Sequence, residues 1–241
     1  MTLDRVSELL EPYLGVPDAR RMTPDAFGCI STYIDILQRW NSRVNLTAIR
    51  DEEQIVTRHF GESFFTARHL FPERNHVGTA ALGCWAERSS AAIAANDERR
   101  RANNPVTVAD VGSGAGFPGI PIKLWAPKIS LTLVESNHKK ATFLREIVRA
   151  LKLTGVNIQN VRAESLPSSA FDVVTLRAVE RFAATLPIAA NLVAPTGRLA
   201  LLIGATQLQQ AKSLLPTASW IPPEPIPTSD SRVLAIATLA R

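Results

Sequence analysis

The chain has 241 residues, 46% of them hydrophobic, and a formal charge of +5. That length fits one domain, or one domain with a smaller companion, and the apolar content is enough for a substantial core. No apolar run approaches the roughly 20 residues of a bilayer-spanning helix, Met1-Thr2-Leu3-Asp4-Arg5 lacks the charged-then-apolar order of a secretory signal, and Cys29 and Cys84 lie far apart without C-x-x-C spacing. The expectation is a soluble cytoplasmic protein without metal, in which Cys29 is a buried thiol. The charge is uneven: residues 105–241 hold 14 Lys/Arg against 8 Asp/Glu, while residues 1–75 hold 9 against 11. A basic second half suits a polyanionic partner such as nucleic acid; a solvated basic surface is the equal alternative.

Residues 1–70 read as helical. Thr23-Pro24-Asp25 offers a cap and a proline for a helix start. Phe27, Ile30, Ile34, Leu37 and Trp40 then recur every three or four residues and mark one apolar face. Ile55, Phe60, Phe64 and Phe65 mark a second helix with Asp51 as its cap. Residues 40–49 form a polar-aromatic connection between the two. Residues 72–105 read as a linker with one short helix near 89–96, and Asp97-Glu98-Arg99-Arg100-Arg101 is a charge run, either solvated or touching RNA.

From residue 106 apolar strand and amphipathic helix patterns alternate. Strands are expected at 106–111, 131–135, 156–161, 171–176, 198–203 and 233–239. Ala141, Leu144, Ile147, Val148 and Leu151 mark one intervening helix, and Leu208, Ala211 and Leu214 another. Alternation of this kind predicts an α/β domain, a Rossmann-like, mostly parallel sheet covered on both faces, with its ligand beyond the carboxyl ends of the strands. The predicted organisation is a helical extension over 1–74, a linker or insertion over 75–105, and the Rossmann-like domain over 106–241.

The chemistry concentrates at Val108-Ala109-Asp110-Val111-Gly112-Ser113-Gly114-Ala115-Gly116-Phe117-Pro118-Gly119. An apolar strand ends in an acid and runs into glycines, which let the backbone approach a ligand closely, with a helix start turning N–H groups toward it. The dinucleotide pattern G-x-G-x-x-G fits from Gly114 to Gly119 but fails from Gly112, where Phe117 takes the third glycine's place. Asp110 is awkward beside a pyrophosphate and sensible beside the cationic methionine end of S-adenosylmethionine. Glu135, ending the second strand, is placed to accept both ribose hydroxyls of either an NAD or an S-adenosylmethionine ligand. Arg162-Ala163-Glu164 ends the third strand, where an adenine edge would lie. At the end of the fourth strand, Val174-Thr175-Leu176-Arg177-Ala178-Val179 lacks both the Asn/Asp-Pro-Pro-Tyr/Phe string of exocyclic-amine methylation and a nucleophilic Cys. A site without an evident base suits an acceptor with a free lone pair, such as guanine N7, so that catalysis is positioning and desolvation. Arg177 there could hold a base edge, a phosphate or the cofactor carboxylate.

These residues resemble the GidB family of small-subunit rRNA methyltransferases G. The resemblance runs through Trp40-Asn41, Val44-Asn45-Leu46-Thr47-Ala48-Ile49, Arg58-His59, the glycine run with Ile120-Pro121, Val134-Glu135-Ser136, Lys139-Lys140, Phe143-Leu144, Arg162-Ala163-Glu164, Phe171-Asp172-Val173-Val174 and Arg177-Ala178. It implies a class I methyltransferase fold with a seven-stranded sheet and an N-terminal helical extension. The implied reaction is methylation of one guanine N7 in small-subunit (16S) ribosomal RNA with S-adenosylmethionine. Gly112, Phe117, Ala163, Glu164 and Arg177 match the positions the family uses around the cofactor; with Asp110, Gly114 and Glu135 they make the expected cofactor set, and Arg177 is the expected catalytic residue. Lys139, Lys140, Arg145 and Arg232 are candidate RNA contacts, and a monomer acting on RNA or a 30S particle, away from membranes, is expected. Three departures stand out: Ile203-Gly204 where members carry Lys-Gly, Glu62 where they carry Asp after His-x-x, and a longer stretch near 75–104. An NAD-dependent oxidoreductase and a non-catalytic rRNA-binding or assembly factor are the alternative readings.

Overall fold

A computed structural model describes residues 1–15, 24–72 and 105–239. Thr23, Cys84, the arginine triplet and all of the expected linker except Pro72 and Pro105 lie outside the described residues. The first helix, α1 (Leu3–Leu14), is capped by Thr2, whose hydroxyl accepts from Arg5 N–H at 3.3 Å. The next, α2 (Pro24–Asn41), buries the face the spacing predicts, including Ile30, Ile34 and Leu37, together with Cys29. Asp51 caps α3 (Glu52–Gln54), accepting from Gln54 N–H at 2.9 Å. One continuous helix was expected from there. Instead the backbone widens into a π-helical stretch, Ile55–Gly61, before resuming as α4 (Glu62–Leu70). A wider turn of this kind is rare and re-aims the side chains it carries. Gly61 closes it where the Tyr13 ring leaves no room for a Cβ, which would come within 2.6 Å.

The second half forms strands β1 (Thr107–Val111), β2 (Ser130–Val134), β3 (Val156–Gln159), β4 (Phe171–Arg177), β5 (Val193–Gly204), β6 (Ala218–Trp220), β7 (Glu224–Pro225) and β8 (Arg232–Leu239). All six expected strands are present, with shifted ends; β5 starts five residues early, at Val193. The order is β3-β2-β1-β4-β5-β8-β6, with the two-residue β7 pairing β8 beside that path. β1 to β5 pair in parallel, and β8 runs against its neighbours. This seven-strand path with one reversed strand is the Rossmann-like, class I methyltransferase sheet that the resemblance implies. Helices α5 (Gly119–Trp125), α6 (His138–Ala150), α7 (Phe182–Leu192) and α8 (Ala205–Leu214) complete the alternation.

Two apolar clusters cover the two faces, because successive strand residues point opposite ways. Val108 and Val173 join one cluster, and their neighbours Ala109 and Val174 join the other. The second cluster is filled from α7 and α8. The first takes Phe143, Leu144 and Ile147 of α6 together with the N-terminal helices, including Tyr33, Phe60 and Phe64. The extension thus shares a core with the sheet. Trp40 adds a polar tie, its indole N–H donating to Glu146 of α6 at 2.8 Å.

Tyr33 reaches furthest. Its hydroxyl is fully buried and donates to the carbonyl of Ala115 in the glycine turn. Tyr33→Phe removes that donor and leaves a buried carbonyl unpaired, at an expected loss of about 1–3 kcal/mol. Urea unfolding of the two proteins, compared at equal slope, measures it.

Candidate functional site: a cleft over the glycine turn

The three glycines of the turn all sit at positive φ, Gly112 at +69°, Gly114 at +54° and Gly116 at +86°. This left-handed backbone is the physical reason for the spacing. It folds the chain sharply enough to delay the helix, so that α5 starts only at Gly119. More telling is where the N–H groups go. Gly112 and Ser113 both donate to Val134 O, at 2.9 and 3.1 Å, and Gly116 donates to Ser113 O at 2.6 Å. Gly114 donates to the Glu135 carboxylate at 2.9 Å. These four donors close the turn on itself and are not arrayed toward a ligand, contrary to the expectation from the sequence. A pyrophosphate would need them.

The cleft lies beyond the carboxyl ends of β1 and β2, beside the point where the order switches to β4. It holds about 450 Å³ and is lined by Gly112, Glu135, Ser136, Ala163, Glu164 and Val179, among others. Gly112 has its Cβ position 3.1 Å from Val179 Cγ1, so any side chain there would fill the floor. Glu135 is nearly buried, and its second oxygen accepts from Asn137 N–H at 2.7 Å. A carboxylate has about four acceptor directions. Two are taken by backbone, which leaves two to face a vicinal diol. Asn160 steadies the same residue by donating to Glu135 O at 2.8 Å. Ala163 and Glu164 lie in a short 3₁₀ turn, Ala163–Ser165, on the opposite wall. Arg162, Arg181 and Thr185 also line the cleft. Arg181 and Thr185 belong to the stretch after β4, where the sequence carries no motif that would have marked them.

Several expected cofactor contacts sit elsewhere. Asp110 is fully buried behind the turn and does not line the cleft. Its carboxylate accepts from Thr175 Oγ1 at 2.8 Å and from Gly119 N–H at 3.3 Å. It therefore joins β1, β4 and the start of α5. Burial pushes its pKa up to about 6. Phe117 is buried as well, packed against Tyr33 and Phe60 and stacked on His59 with ring centres 4.7 Å apart. It is a core residue beneath the cleft, not a cover over it. Gly114 shapes the turn through its bond to Glu135.

Arg177 ends β4 but turns away from the cleft wall into a buried cluster with the extension. Its Nη2 donates to Glu62 at 3.0 Å and to Arg58 O at 2.6 Å, and its Nη1 lies 3.2 Å from His59 Nδ1. Glu62, 1% exposed, also pairs with Arg232 at 2.8 Å and Arg58 at 3.6 Å. Three arginines thus surround one carboxylate. Burial brings the Arg177 guanidinium down to about 10, so it remains charged near neutrality. Its Nε is buried without a partner. Arg232, expected as an RNA contact, belongs to this same cluster. Glu62, flagged only as a departure from the family's Asp, is its hub. Lys139 and Lys140 open α6, where Asn137 caps the helix; Lys139 and Arg145 are exposed. Ile203, the other departure, is buried at the end of β5.

The family described as rRNA small subunit methyltransferase G, GidB, matches residues 90–219. The chain belongs to this family. Three relatives are named ribosomal RNA small subunit methyltransferase G. The one from Xylella fastidiosa strain 9a5c is 34% identical over 190 residues, 78% of this chain and 73% of its own. The one from Halorhodospira halophila is 36% identical over 186 residues, 77% and 73%. The one from Xanthomonas campestris strain B100 is 30% identical over 203 residues, 84% and 79%. Among solved structures, a SAM-dependent methyltransferase from Aquifex aeolicus overlaps 56% of this chain and 82% of its own, at 16% identity and a TM-score of 0.48. The chain is therefore a methyltransferase, and the oxidoreductase alternative is not favoured.

The raised pKa of Asp110 makes stability depend on pH. Between about pH 4 and pH 6 the folded protein keeps a proton there that the unfolded chain has released. This group therefore lowers stability as pH rises through that window and contributes no slope above it. Asp110→Asn removes the slope. The unfolding free energy of the variant minus that of the wild type should rise by up to about 3 kcal/mol across the window, as read from denaturant unfolding at a series of pH values.

Proposed function

We propose that the cleft binds S-adenosylmethionine and that the protein methylates N7 of one guanine in small-subunit (16S) ribosomal RNA. The observation that carries this reading is the glycine turn with its N–H groups committed inward beside Glu135. Such a floor suits a ligand with a ribose and no phosphate. When bound, S-adenosylmethionine supplies a sulfonium-activated methyl group. Glu135 accepts the ribose hydroxyls, Gly112 lets the ligand lie against the backbone, and Ala163 and Glu164 flank the adenine edge. Arg177 orders the methyl-donor end or the guanine through its unpartnered Nε–H.

The acceptor follows from the lack of a free base among the described residues of the cleft, whose two carboxylates, Glu135 and Glu164, are given to the ribose and the adenine edge. His59, the imidazole nearest Arg177, is held near pKa 3 by burial and by Arg177, Arg232 and Arg58. It takes no proton near neutrality. Guanine N7 has an in-plane lone pair and needs no deprotonation, so placement and exclusion of water suffice. The first turn of α6 supports an RNA partner. It contains Lys139 and Lys140 and no acidic residue, although a cation at a helix N-terminus costs about 0.3–1 kcal/mol locally. Their charges suit phosphates, with Arg145 one turn on; such contacts set position and carry the salt dependence. Residues 1–74 act as the helical extension that brings Arg58 and Glu62 against Arg177 and Arg232, 75–105 join it to the donor-binding domain at 106–241, and RNA shape with an unstacked base gives specificity. The working unit is proposed to be a monomer. No described helix is long and apolar enough to cross a membrane, which fits work in the cytoplasm.

Labelled S-adenosylmethionine incubated with naked small-subunit RNA, 30S and 70S particles tests the reading. Label is expected on a single guanine N7, located by mass mapping. Glu135→Gln turns one acceptor oxygen into a donor facing a backbone N–H, and should lower turnover per unit donor by about 100-fold or more. Wild-type protein that binds S-adenosylhomocysteine but transfers no label to any of the three substrates would favour the assembly-factor reading. Binding of NADH alone would overturn the donor assignment.

A further inference from the structure

The site as described leaves His59 idle and gives no reason for the polar-aromatic string at 40–49. The hydrogen bonds join them. Arg177 has only donors, so at 3.2 Å from Nη1 the Nδ1 atom of His59 must accept and carries no proton. The other ring nitrogen, Nε2, lies 2.8 Å from Thr47 Oγ1. A neutral imidazole with a bare Nδ1 carries its proton on Nε2, so Nε2–H donates to Thr47. Thr47 Oγ1 also accepts from Ile49 N–H at 3.1 Å. Thr47 is itself held by Asn41, whose Oδ1 accepts from Leu46 and Thr47 N–H at 2.9 and 3.1 Å and whose Nδ2 donates to Thr47 O at 2.8 Å. The ring lies flat on Phe117, next to the glycine turn. The charged groups around it are Arg177 from β4, Arg232 from β8, and Arg58 and Glu62 on either side of it in its own helix.

We propose that His59 is a positioning residue for Arg177: held by Thr47 as the neutral Nε2–H imidazole, it accepts from Nη1 and fixes the guanidinium plane. With Nη1 on His59 and Nη2 on Glu62 and Arg58 O, the donor left over is Nε–H. Its orientation is set from three sides by the extension, and it serves an anionic oxygen of the methyl donor or of the RNA. This rests on the methyl-transfer reading above. His59 and Glu62, three residues apart, meet the same guanidinium; Arg177 sets the tautomer, and the 40–49 string holds the far edge of the ring.

The first test needs no activity. In ¹⁵N-labelled full-length protein the His59 ring, assigned by its loss in His59→Asn, should show a protonated Nε2 and a bare Nδ1, unchanged from about pH 5 to pH 8. A proton on Nδ1, or titration inside that range, overturns the proposal. The second test uses variants whose folding is checked by urea unfolding. His59→Phe keeps the stack on Phe117 and removes the acceptor, whereas His59→Asn returns an oxygen near the Nδ1 position. His59→Phe should weaken either S-adenosylhomocysteine binding or the KM for 30S particles by about tenfold or more, and His59→Asn should recover most of it. The parameter that moves identifies which partner supplies the oxygen. Thr47→Val should reproduce the defect by releasing the Nε2 edge of the ring, and it decides the matter if His59→Phe does not fold. Folded His59→Phe or Thr47→Val equal to wild type in both measurements, or His59→Asn no better than His59→Phe, overturns the proposal. Failure of the methyl-transfer reading shows differently, as wild-type protein that binds no S-adenosylhomocysteine while the ring signals stand.

Discussion

The bond from Gly114 N–H to the Glu135 carboxylate ties the ends of β1 and β2 together across the cleft. Glu135 belongs to the ligand wall and also closes the glycine turn. The N–H groups of Gly112, Ser113 and Gly116 go to Val134 and Ser113, so the floor is shaped by backbone whose glycine donors are spent inside the turn. That constraint selects the ligand class. A phosphate would have to break the turn to be solvated by it, whereas a ribose and a thioether-linked chain can lie on it as it stands. Asp110 supports the arrangement from behind, where Gly119 has no space for a Cβ against it. Its charge is tolerated because two donors meet it.

The extension and the sheet depend on one another for a related reason. A buried carboxylate such as Glu62 is costly to desolvate, and only good geometry with several partners offsets that cost. Its partners come from three places in the chain: Arg58 from the π-helical stretch, Arg177 from β4 and Arg232 from β8. None of these elements can move far without leaving a charge uncompensated. The helices also share an apolar cluster with the sheet face, which the removal of apolar surface from water holds together. Arg177 is thereby a junction between the two halves, with one buried donor, Nε–H, left without a partner.

Much of the site was legible in local pattern, where the chemistry is local. The glycine spacing implies left-handed backbone wherever it occurs, and all three glycines adopt it. Glu135 directly follows β2, and Ala163 and Glu164 follow β3 within five residues, so a parallel sheet places them at one edge. Asp110 and Arg177 sit at strand ends and Phe117 in the turn, yet all three side chains turn into the protein, because such a position says which edge a residue reaches, not which way its side chain points. Asp110 turned inward to Thr175, a partner 65 residues away. Phe117 joined rings from helices that periodicity marks only as apolar. The π-helical stretch was invisible, since one wider turn changes the spacing of a helix too little to alter an apolar stripe.

The strand–helix alternation of the sheet, the glycine turn and membership of the family can all be read from local strings, because each depends on neighbours within a few residues or on a continuous run of sequence. Tertiary structure alone decided the direction of the turn's N–H groups, the three arginines on Glu62 and the tautomer of His59. These rest on contacts between residues up to 170 positions apart, such as Glu62 with Arg232, and no spacing rule carries information over that distance.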